Sequence, residues 1–179
     1  MCKKHIDKME IQLVKTKEEE LSKITELAEL IWKKYYIEII TMKQIEYMLN
    51  KFYSNDSLKT QIINGQIFYF VKTKTEVLGF LSLSKDDNGV YFIHKFYLLP
   101  DQHRKSVGTK VIQEIENEIN FTEKVKNYKI KLTVNRQNFK SINFYFKNGY
   151  TIESVEDFDI GDSYLMNDFV MVKNVNNSF

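Results

Sequence analysis

The sequence predicts one domain of mixed α and β structure, with a mostly antiparallel sheet that has two parallel strands at its centre. Some segments place apolar residues every three or four positions, as on one face of a helix, whereas others alternate as strands do. They follow one another as strand, two helices, three strands, helix, strand, helix and two strands. The strand–helix–strand unit at about residues 90–134 fits a right-handed crossover, which joins parallel strands.

The first third of the chain is expected to form one strand followed by helices. The stretch from Met9, "MEIQLVKT", alternates as a strand does. Thr16–Glu19 and Thr41–Gln44 each fit a capping box, so each is expected to begin a helix. The segment "SNDSLKTQIING" is expected to add a further turn or two before Gly65 ends it. The apolar stripe of the first helix consists of Leu21, Ile24, Leu27, Ile31 and Tyr35.

The rest of the chain is rich in strands. The stretches "QIFYFVKT", "EVLGFLSLS" and "VYFIHKFYLL" predict an antiparallel meander, with a tight hairpin turn at Asp87-Asn88-Gly89. A helix from Val107, the strand "YKIKLTV" and the helix "NFKSINFYFKN" follow, and Gly149 stands where a C-cap glycine is expected. The last two strand-like stretches, "YTIESVEDFDI" and "YLMNDFVMVK", predict a closing hairpin.

Size and composition limit the classes of protein that the chain can be. Its 179 residues suit a single domain, 1–179, with flexible ends at 1–8 and 174–179. Lys and Arg number 26 against 24 Asp and Glu, and this net charge of +2 predicts neither a nucleic-acid nor a membrane partner. The single cysteine, Cys2, cannot form an intrachain disulfide, and no window approaches the roughly 18 consecutive apolar residues of a membrane span. A cytoplasmic location is therefore expected.

The segment that leads into the helix at Val107, "LLPDQHRKSVGTKVI", carries three basic side chains and a glycine. Free N–H groups and the helix dipole make the first turn of a helix a site for anions. Gly108 would let a ligand approach the backbone, and Arg104 and Lys105 would add positive charge. The combination suits a pyrophosphate, although a solvated basic turn without a ligand is the alternative for this segment alone. It matches neither the P-loop nor the dinucleotide-binding glycine pattern.

Two motifs resemble those of the GNAT superfamily of acyl-CoA-dependent N-acetyltransferases, and the resemblance runs from about residue 9 to residue 173. The segment "YLLPDQHRKSVGTKVI" resembles the family's loop, Gln/Arg-x-x-Gly-x-Gly/Ala. His103 replaces the preferred Gln or Arg, and Ser106 replaces the first glycine, which is expected to narrow the loop. The second motif, "NFKSINFYFKNGY", matches the family at Asn138, Lys140, Ser141, Ile142, Phe144, Tyr145, Gly149 and Tyr150.

The resemblance implies a fold and a cofactor site. The implied α+β fold has a mixed, mostly antiparallel sheet of six or seven strands, helices on both faces, and two central parallel strands that splay apart. The implied cofactor is acetyl-CoA, without a metal, and its pantetheine arm would lie in the gap against the backbone of Phe96, Tyr97 and Leu98. Asn138 would contact the pantetheine or the diphosphate. The pyrophosphate would be held by His103, Arg104, Lys105, Ser106, Val107, Gly108 and Thr109.

The resemblance also implies a reaction, in which a primary amine attacks the thioester directly and forms a tetrahedral intermediate. Tyr145 occupies the family position of the acid that protonates the departing thiolate, and it would also contact the cofactor; its alternative role is core packing. A backbone N–H near Tyr97 would stabilise the oxyanion. His94 is the candidate general base, and a carboxylate or a water relay is the alternative.

The acceptor is expected to be a small-molecule amine of the diamine or polyamine type rather than a protein. Trp32, Tyr35 and Tyr36 would wall its hydrocarbon part. The closing hairpin would attract its positive charges through Glu153, Glu156, Asp157, Asp159 and Asp162. A solvated acidic hairpin, with the aromatic rings in the core, is the alternative. Other functions stay open: acetylation of a protein N-terminus or lysine, a CoA-binding regulatory module without catalysis, or a protein-binding scaffold. A homodimer also stays open.

Overall fold

The computed structural model describes residues 10–102, 106–123 and 127–176, and its seven strands form one sheet in the order β1-β2-β3-β4-β5-β7-β6. All neighbouring strands are antiparallel except β4 and β5, which confirms the predicted mixed sheet with a central parallel pair. The strands are β1 (Gln12–Lys15), β2 (Ile67–Lys72), β3 (Val77–Lys85), β4 (Val90–Leu98), β5 (Asn127–Asn135), β6 (Thr151–Gly161) and β7 (Tyr164–Asn176). The helices are α1 (Leu21–Tyr35), α2 (Met42–Tyr53), α3 (Asn55–Ile63), α4 (Val107–Glu123) and α5 (Phe139–Lys147).

The two expected capping boxes have different outcomes. The Thr41 hydroxyl accepts a hydrogen bond from the Gln44 N–H at 3.2 Å, so the expected N-cap of α2 is confirmed. The expected capping box at Thr16 is wrong. Thr16 is still held by the sheet, because its N–H donates to the Phe68 carbonyl at 2.8 Å, and a 3-10 turn at Glu18–Glu20 precedes α1.

Other local signals fix turns and helix ends. Gly89 and Gly149 take left-handed backbone conformations, with φ of 76° and 85°, at the predicted hairpin turn and at the end of α5. Ser54 separates α2 from α3 and caps α3 by accepting a hydrogen bond from the Ser57 N–H at 3.3 Å. With this cap α3 reaches nine residues, longer than the expected turn or two.

Helices cover both faces of the sheet, as the resemblance implies. Phe68 and Phe70 of β2 pack with α1, α2 and α3, whereas the alternate residues Tyr69 and Val71 belong to the core under α4 and α5. The core under α4 and α5 is mostly aliphatic, and the one under α1, α2 and α3 is rich in aromatic rings. The aromatic side also contains a cavity of about 640 Å³.

The chain ends differ in part from expectation. Strand β7 continues to Asn176, where it pairs with Asn127, so three residues of the expected flexible end 174–179 lie in the sheet. Residues 1–8 and the last three residues lie outside the described part of the chain. None of the described helices is both long enough and apolar enough to cross a membrane.

Candidate active site

The centre of the sheet opens into a gap between β4 and β5. Their parallel pairing runs only from Val90 opposite Lys129 to Ile93 opposite Leu132. Beyond this point β4 continues on β3, and β5 continues on β7 as far as Asn135. The two strands therefore separate over the last residues of each, as the resemblance predicts, and the cavity lies at this gap.

A β-bulge in β4 marks the beginning of the gap. Ser82 of β3 pairs with Lys95 but the next residue, Leu83, pairs with Ile93, so His94 is an extra residue in β4. His94 contacts the Ser84 hydroxyl through Nε2 at 2.7 Å, and Lys95 donates a hydrogen bond to the Gln61 side chain on α3. Both side chains thus lie on the α1–α3 face, although they are successive residues of a strand.

The backbone of β4 turns some of its polar groups towards the gap. The Leu99 N–H donates to the Leu78 carbonyl of the neighbouring β3 segment at 2.8 Å. Because antiparallel bonding alternates along a strand, the N–H and C=O of Tyr97 also point towards β3, and those of Phe96 and Leu98 point into the gap. Among the described residues, Phe96 is therefore the neighbour of Tyr97 whose N–H faces the gap and lies beyond the pairing with β5.

Gly79 of β3 fixes the position of this backbone, and sequence reasoning missed it. A Cβ at this position would lie 2.1 Å from the Tyr97 carbonyl oxygen and 2.9 Å from the Leu98 Cα. Only glycine lets β3 approach this end of β4 so closely. The available sequence signal is a glycine inside an otherwise strand-like run, which often marks a close approach of two backbones.

Tyr36 links the parts of the site. Its ring stacks on Trp32 with 4.5 Å between centroids and lies 6.2 Å from the Tyr97 ring, and Trp32 and Tyr36 both line the cavity. Its hydroxyl interacts with Tyr97 and with Asn138, and burial, followed by the charge of Asp168, raises the pKa of Tyr36 to about 12. Tyr35, the other expected wall residue, instead donates towards the Pro100 carbonyl at 3.4 Å.

Helix α5 brings the second motif to the cavity. Asn138 is its N-cap and accepts a hydrogen bond from the Ser141 N–H at 3.2 Å. Tyr145 lies about two turns after Asn138. It is 8% exposed and lines the cavity, and its ring packs 5.2 Å from Phe144 and 5.5 Å from Tyr150. Burial raises the pKa of Tyr145, which keeps its hydroxyl protonated at neutral pH.

His94 also lines the cavity, and its ring lies 4.7 Å from the Phe92 ring. Desolvation, followed by the neighbouring Lys95 ammonium, lowers the pKa of His94 to about 4. The imidazole is therefore neutral at neutral pH but only weakly basic. Its role as general base stays a prediction.

Asp168 of β7 is a carboxylate that sequence reasoning missed. It pairs with Asn135 across the sheet, is 4% exposed, and lines the cavity beside the gap. Burial raises the pKa of Asp168 to about 6, although Thr133 and Arg136 partly stabilise the charge. The sequence signal was a charged residue inside the apolar strand "YLMNDFVMVK", because an isolated charge is rarely buried without a function.

The acidic residues expected to attract a polycation do not line the cavity. Glu153 pairs with Lys129 at 3.9 Å and with Lys131, and Asp157 pairs with Arg136. Asp159 accepts a hydrogen bond from the Gly161 N–H at 2.8 Å in the hairpin turn. In the described part of the chain, no three His, Cys, Asp or Glu side chains are grouped to hold a metal ion.

The start of α4 has the geometry of an anion site, with a strained residue before it. Ser106 has a φ of 58°, a left-handed conformation that favours glycine, and its carbonyl accepts the Lys110 N–H at 3.2 Å. Val107, Gly108 and Thr109 form the first turn of α4. A Cβ on Gly108 would lie 2.9 Å from the Phe144 ring, so this glycine lets α4 pack against α5. His103, Arg104 and Lys105 lie outside the described residues.

These features fit the expected cofactor. A pantetheine arm contains amide groups, and the gap-facing backbone of Phe96 can bond such groups as a neighbouring strand would. The first turn of α4 presents free N–H groups for a pyrophosphate. The individual contacts of Tyr97, Asn138 and Tyr145 with the cofactor stay predictions.

The chain is similar to acetyltransferases along most of its length. The Acetyltransferase (GNAT) family profile matches residues 24–150. The spermidine N(1)-acetyltransferase of Thermoplasma acidophilum is 28% identical over 156 residues, which cover 84% of this chain and 94% of that protein. The crystal structure of PaiA N-acetyltransferase from Thermoplasma acidophilum, in complex with coenzyme A, is 27% identical with a TM-score of 0.73, covering 92% of this chain and 99% of that one.

The same fold occurs in a more distant protein, a GCN5-related N-acetyltransferase from Rhodopseudomonas palustris. It is 16% identical with a TM-score of 0.74, and the match covers 93% of this chain and 98% of that one. The family profile spans well over half of the chain. The chain therefore belongs to the GNAT family and is an acetyltransferase that uses acetyl-CoA.

Proposed function

We propose that this acetyltransferase acetylates the primary amine of a small molecule, which binds in the cavity on the α1–α3 face while acetyl-CoA binds in the gap. The observation that carries the proposal is the Asp168 carboxylate, which is 4% exposed and lines the cavity where β4 and β5 separate. A carboxylate in this position favours an ammonium group and can take its proton. The similarity to the spermidine N(1)-acetyltransferase of Thermoplasma acidophilum supports an amine acceptor.

The residues of the gap have complementary roles in this proposal. When bound, acetyl-CoA supplies a thioester acyl group that is open to attack by an amine. The N–H group of Phe96 donates a hydrogen bond into the gap, where negative charge develops on an oxygen. Tyr145 holds its proton because burial raises its pKa, and it donates that proton or a hydrogen bond to the leaving sulfur. The Trp32 and Tyr36 rings exclude water.

Asp168 is a stronger candidate base than His94. A free ammonium has a pKa of about 10.4, so the better proton acceptor is the group whose own pKa lies nearer to this value. The pKa of Asp168 is raised to about 6, whereas that of His94 is lowered to about 4. We therefore propose that Asp168 takes the proton, directly or through water, and that His94 serves as the alternative.

A panel of amines tests the proposed function. The purified chain is incubated with acetyl-CoA and with monoamines, diamines, polyamines, amino acids, and peptides that carry a free N-terminus or a lysine. Thiol release and mass spectrometry identify the acetylated product. Acetylation of a small amine is expected, and it should be lost in Asp168→Asn. Acetylation of peptides alone would contradict the proposal, and CoA binding without any product would favour a regulatory module.

A polyamine-like acceptor stays part of the proposal, supported by Asp168 and by the spermidine acetyltransferase relative. Against it stand the ion pairs and turn contact that occupy Glu153, Asp157 and Asp159. The panel therefore includes diamines and polyamines as separate arms. The assembly and location of the protein are separate questions.

For the assembly we propose one domain and a homodimer. All seven strands share one sheet, and β6 is an outer strand whose Ile152, Val155 and Phe158 are 40%, 54% and 38% exposed. Sedimentation equilibrium at micromolar concentration tests this, and a monomer would contradict it. A cytoplasmic location is likewise a proposal, which cell fractionation tests.

A further inference from the structure

Lys95, beside the bulge of β4, is a buried cation without a carboxylate partner among the described residues. It is 8% exposed, and its ammonium donates a hydrogen bond to the Gln61 side chain. The ammonium also lies 5.3 Å from the centre of the Tyr53 ring and 5.5 Å from that of Phe68. Two rings and one amide oxygen stabilise the charge in part, but none of them neutralises it.

The end of the cavity around Lys95 is polar but has no acidic side chain. Its lining there comes from α3 and from the residue before β2, and it includes Ser57, Thr60, Gln61 and Gln66. These side chains offer hydroxyl and amide donors as well as acceptors. The end of the cavity at α3 therefore has one positive charge and several neutral hydrogen-bond donors, which together suit an anionic group.

The other charged residues of the lining do not compensate Lys95. Asp168 is the one carboxylate among the lining residues, and it lies on β7, across the gap from β4. Lys51, the other lysine, is fixed by the Ile160 carbonyl at 2.6 Å and the Tyr47 hydroxyl at 3.2 Å. The cavity thus has one negative end and one positive end, and its fixed charges do not favour a polycation.

We propose that the acceptor is an amine that also carries a carboxylate, with its amine at Asp168 and its carboxylate at Lys95. This inference rests on the proposed function, since it specifies the acceptor of the same site. One lysine balances one negative charge, which matches a carboxylate better than a phosphate dianion. A diamine would instead place its second ammonium against Lys95, where the two like charges repel each other.

The protonation state of Lys95 is consistent with this role. Burial lowers the pKa of Lys95 to about 8, so the side chain remains mostly charged at neutral pH. The charge is also felt by its neighbour, because it contributes to the lowered pKa of His94. An anionic ligand would relieve this unfavourable burial of a positive charge.

The first test compares acceptors of equal length on the wild-type enzyme. For butane, pentane and hexane chains, kcat/KM is measured for the monoamine, the α,ω-diamine and the ω-amino acid. We expect the ω-amino acid to be preferred over the diamine by about tenfold or more at the best chain length. Equal use of the two, or preference for the diamine, would overturn the inference and leave the proposed function intact. Absence of any acetylated small amine would overturn both.

The second test assigns the preference to Lys95. Lys95→Met removes the charge, and Gln61→Glu adds a carboxylate beside the lysine while leaving it in place. Both variants should reduce the amino acid to diamine ratio of kcat/KM by about tenfold, whereas Lys51→Met should change it less than about twofold. A ratio is independent of the folded fraction, and Gln61→Glu remains informative where Lys95→Met does not fold. An unchanged ratio in Gln61→Glu would contradict the assignment.

Discussion

The two halves of β4 have different neighbours and different roles. Over Val90–Ile93 the strand is paired on both sides, by β3 and by β5, and Tyr91 and Ile93 point into the core under α4 and α5. Over His94–Leu98 it is paired only by β3, and its other edge faces the gap. The first half contributes to stability through packing. The second half turns the backbone of Phe96 towards a ligand, at the point where β5 diverges from β4.

The largest expected effect comes from Asp168, the carboxylate across the gap from His94–Leu98, which we call the open half of β4. Asp168→Asn should lower kcat by about 100-fold or more, because an amide cannot accept the proton of the amine. In the wild type, kcat should also fall below about pH 6, where Asp168 becomes protonated, and the variant should lack this dependence. Steady-state kinetics at saturating substrates measures both. Asp87→Asn, at an exposed hairpin turn, is the control and should retain full activity.

The same substitution should increase stability at neutral pH. The native pKa of Asp168, about 6, lies above the ordinary value of about 3.9, so the native state binds more protons between pH 4 and 6. The free energy of unfolding therefore decreases as the pH rises through this window, by up to about 3 kcal/mol. Asp168→Asn should have a higher Tm than the wild type at pH 7 and a similar one near pH 4. A lower Tm at pH 7 would contradict the burial argument.

Tyr145→Phe should have the next largest effect on turnover. Loss of the hydroxyl should lower kcat by about 10- to 100-fold and change the Kd of CoA by less than about twofold. Tyr150→Phe is a matched control, because Tyr150 packs against Tyr145, has a buried hydroxyl without a partner among the described residues, and does not line the cavity. Equal kcat values for Tyr145→Phe and the wild type would remove Tyr145 as the acid.

Gly79→Ala should displace the backbone of the open half of β4. The new Cβ would collide with the Tyr97 carbonyl oxygen, so this end of β4 must move, at a cost of about 1–3 kcal/mol. We expect the Kd of CoA, measured by calorimetry, to rise by about tenfold, since Phe96 and Leu98 shift. The control is Gly89→Ala in the turn before the paired half. It strains a φ of 76° without a collision, so it should lower stability while leaving the CoA Kd unchanged.

Ser106→Gly is expected to have the smallest effect and to increase the affinity for CoA. A non-glycine residue with a φ of 58° is strained by about 1 kcal/mol, and glycine would relieve this strain while loosening the unfolded chain. The Kd of CoA should fall by about two- to fivefold. Ser163→Gly is the control, because Ser163 has a similar φ of 62° in the closing hairpin. It should raise stability without changing CoA affinity, and a weaker CoA affinity in Ser106→Gly would contradict the strain argument.

Most of the fold could be predicted from local patterns. The order of strands and helices, the Thr41 cap and the Gly89 turn are properties of short segments, and the crossover follows from the handedness of strand–helix–strand units. Thr16 was misread because a residue with the signature of a cap can be held in the sheet by a partner distant in sequence, here Phe68. Such a contact leaves no trace in the local pattern.

The site was less predictable, because two of its charged residues depend on tertiary geometry. Strict alternation would place Lys95 on the same face as Ile93, and only the bulge at His94 turns it to the cavity. Asp168 reaches the gap through the pairing of β7 with β5. The acidic hairpin was misinterpreted because sequence does not show which acidic residues have basic neighbours, such as Lys131 beside Glu153.

The alternation along β4 gives the chain an unusual pattern of amide protection. A strand in the middle of a sheet normally exchanges its amide hydrogens slowly throughout. Here the amides of Tyr97 and Leu99 are bonded to β3, whereas that of Phe96 faces the gap. Deuterium uptake should therefore be faster at Phe96 than at Tyr97 and Leu99, within one central strand. Slower uptake at Phe96 after addition of CoA would then report an occupied gap, in solution and without any catalytic turnover.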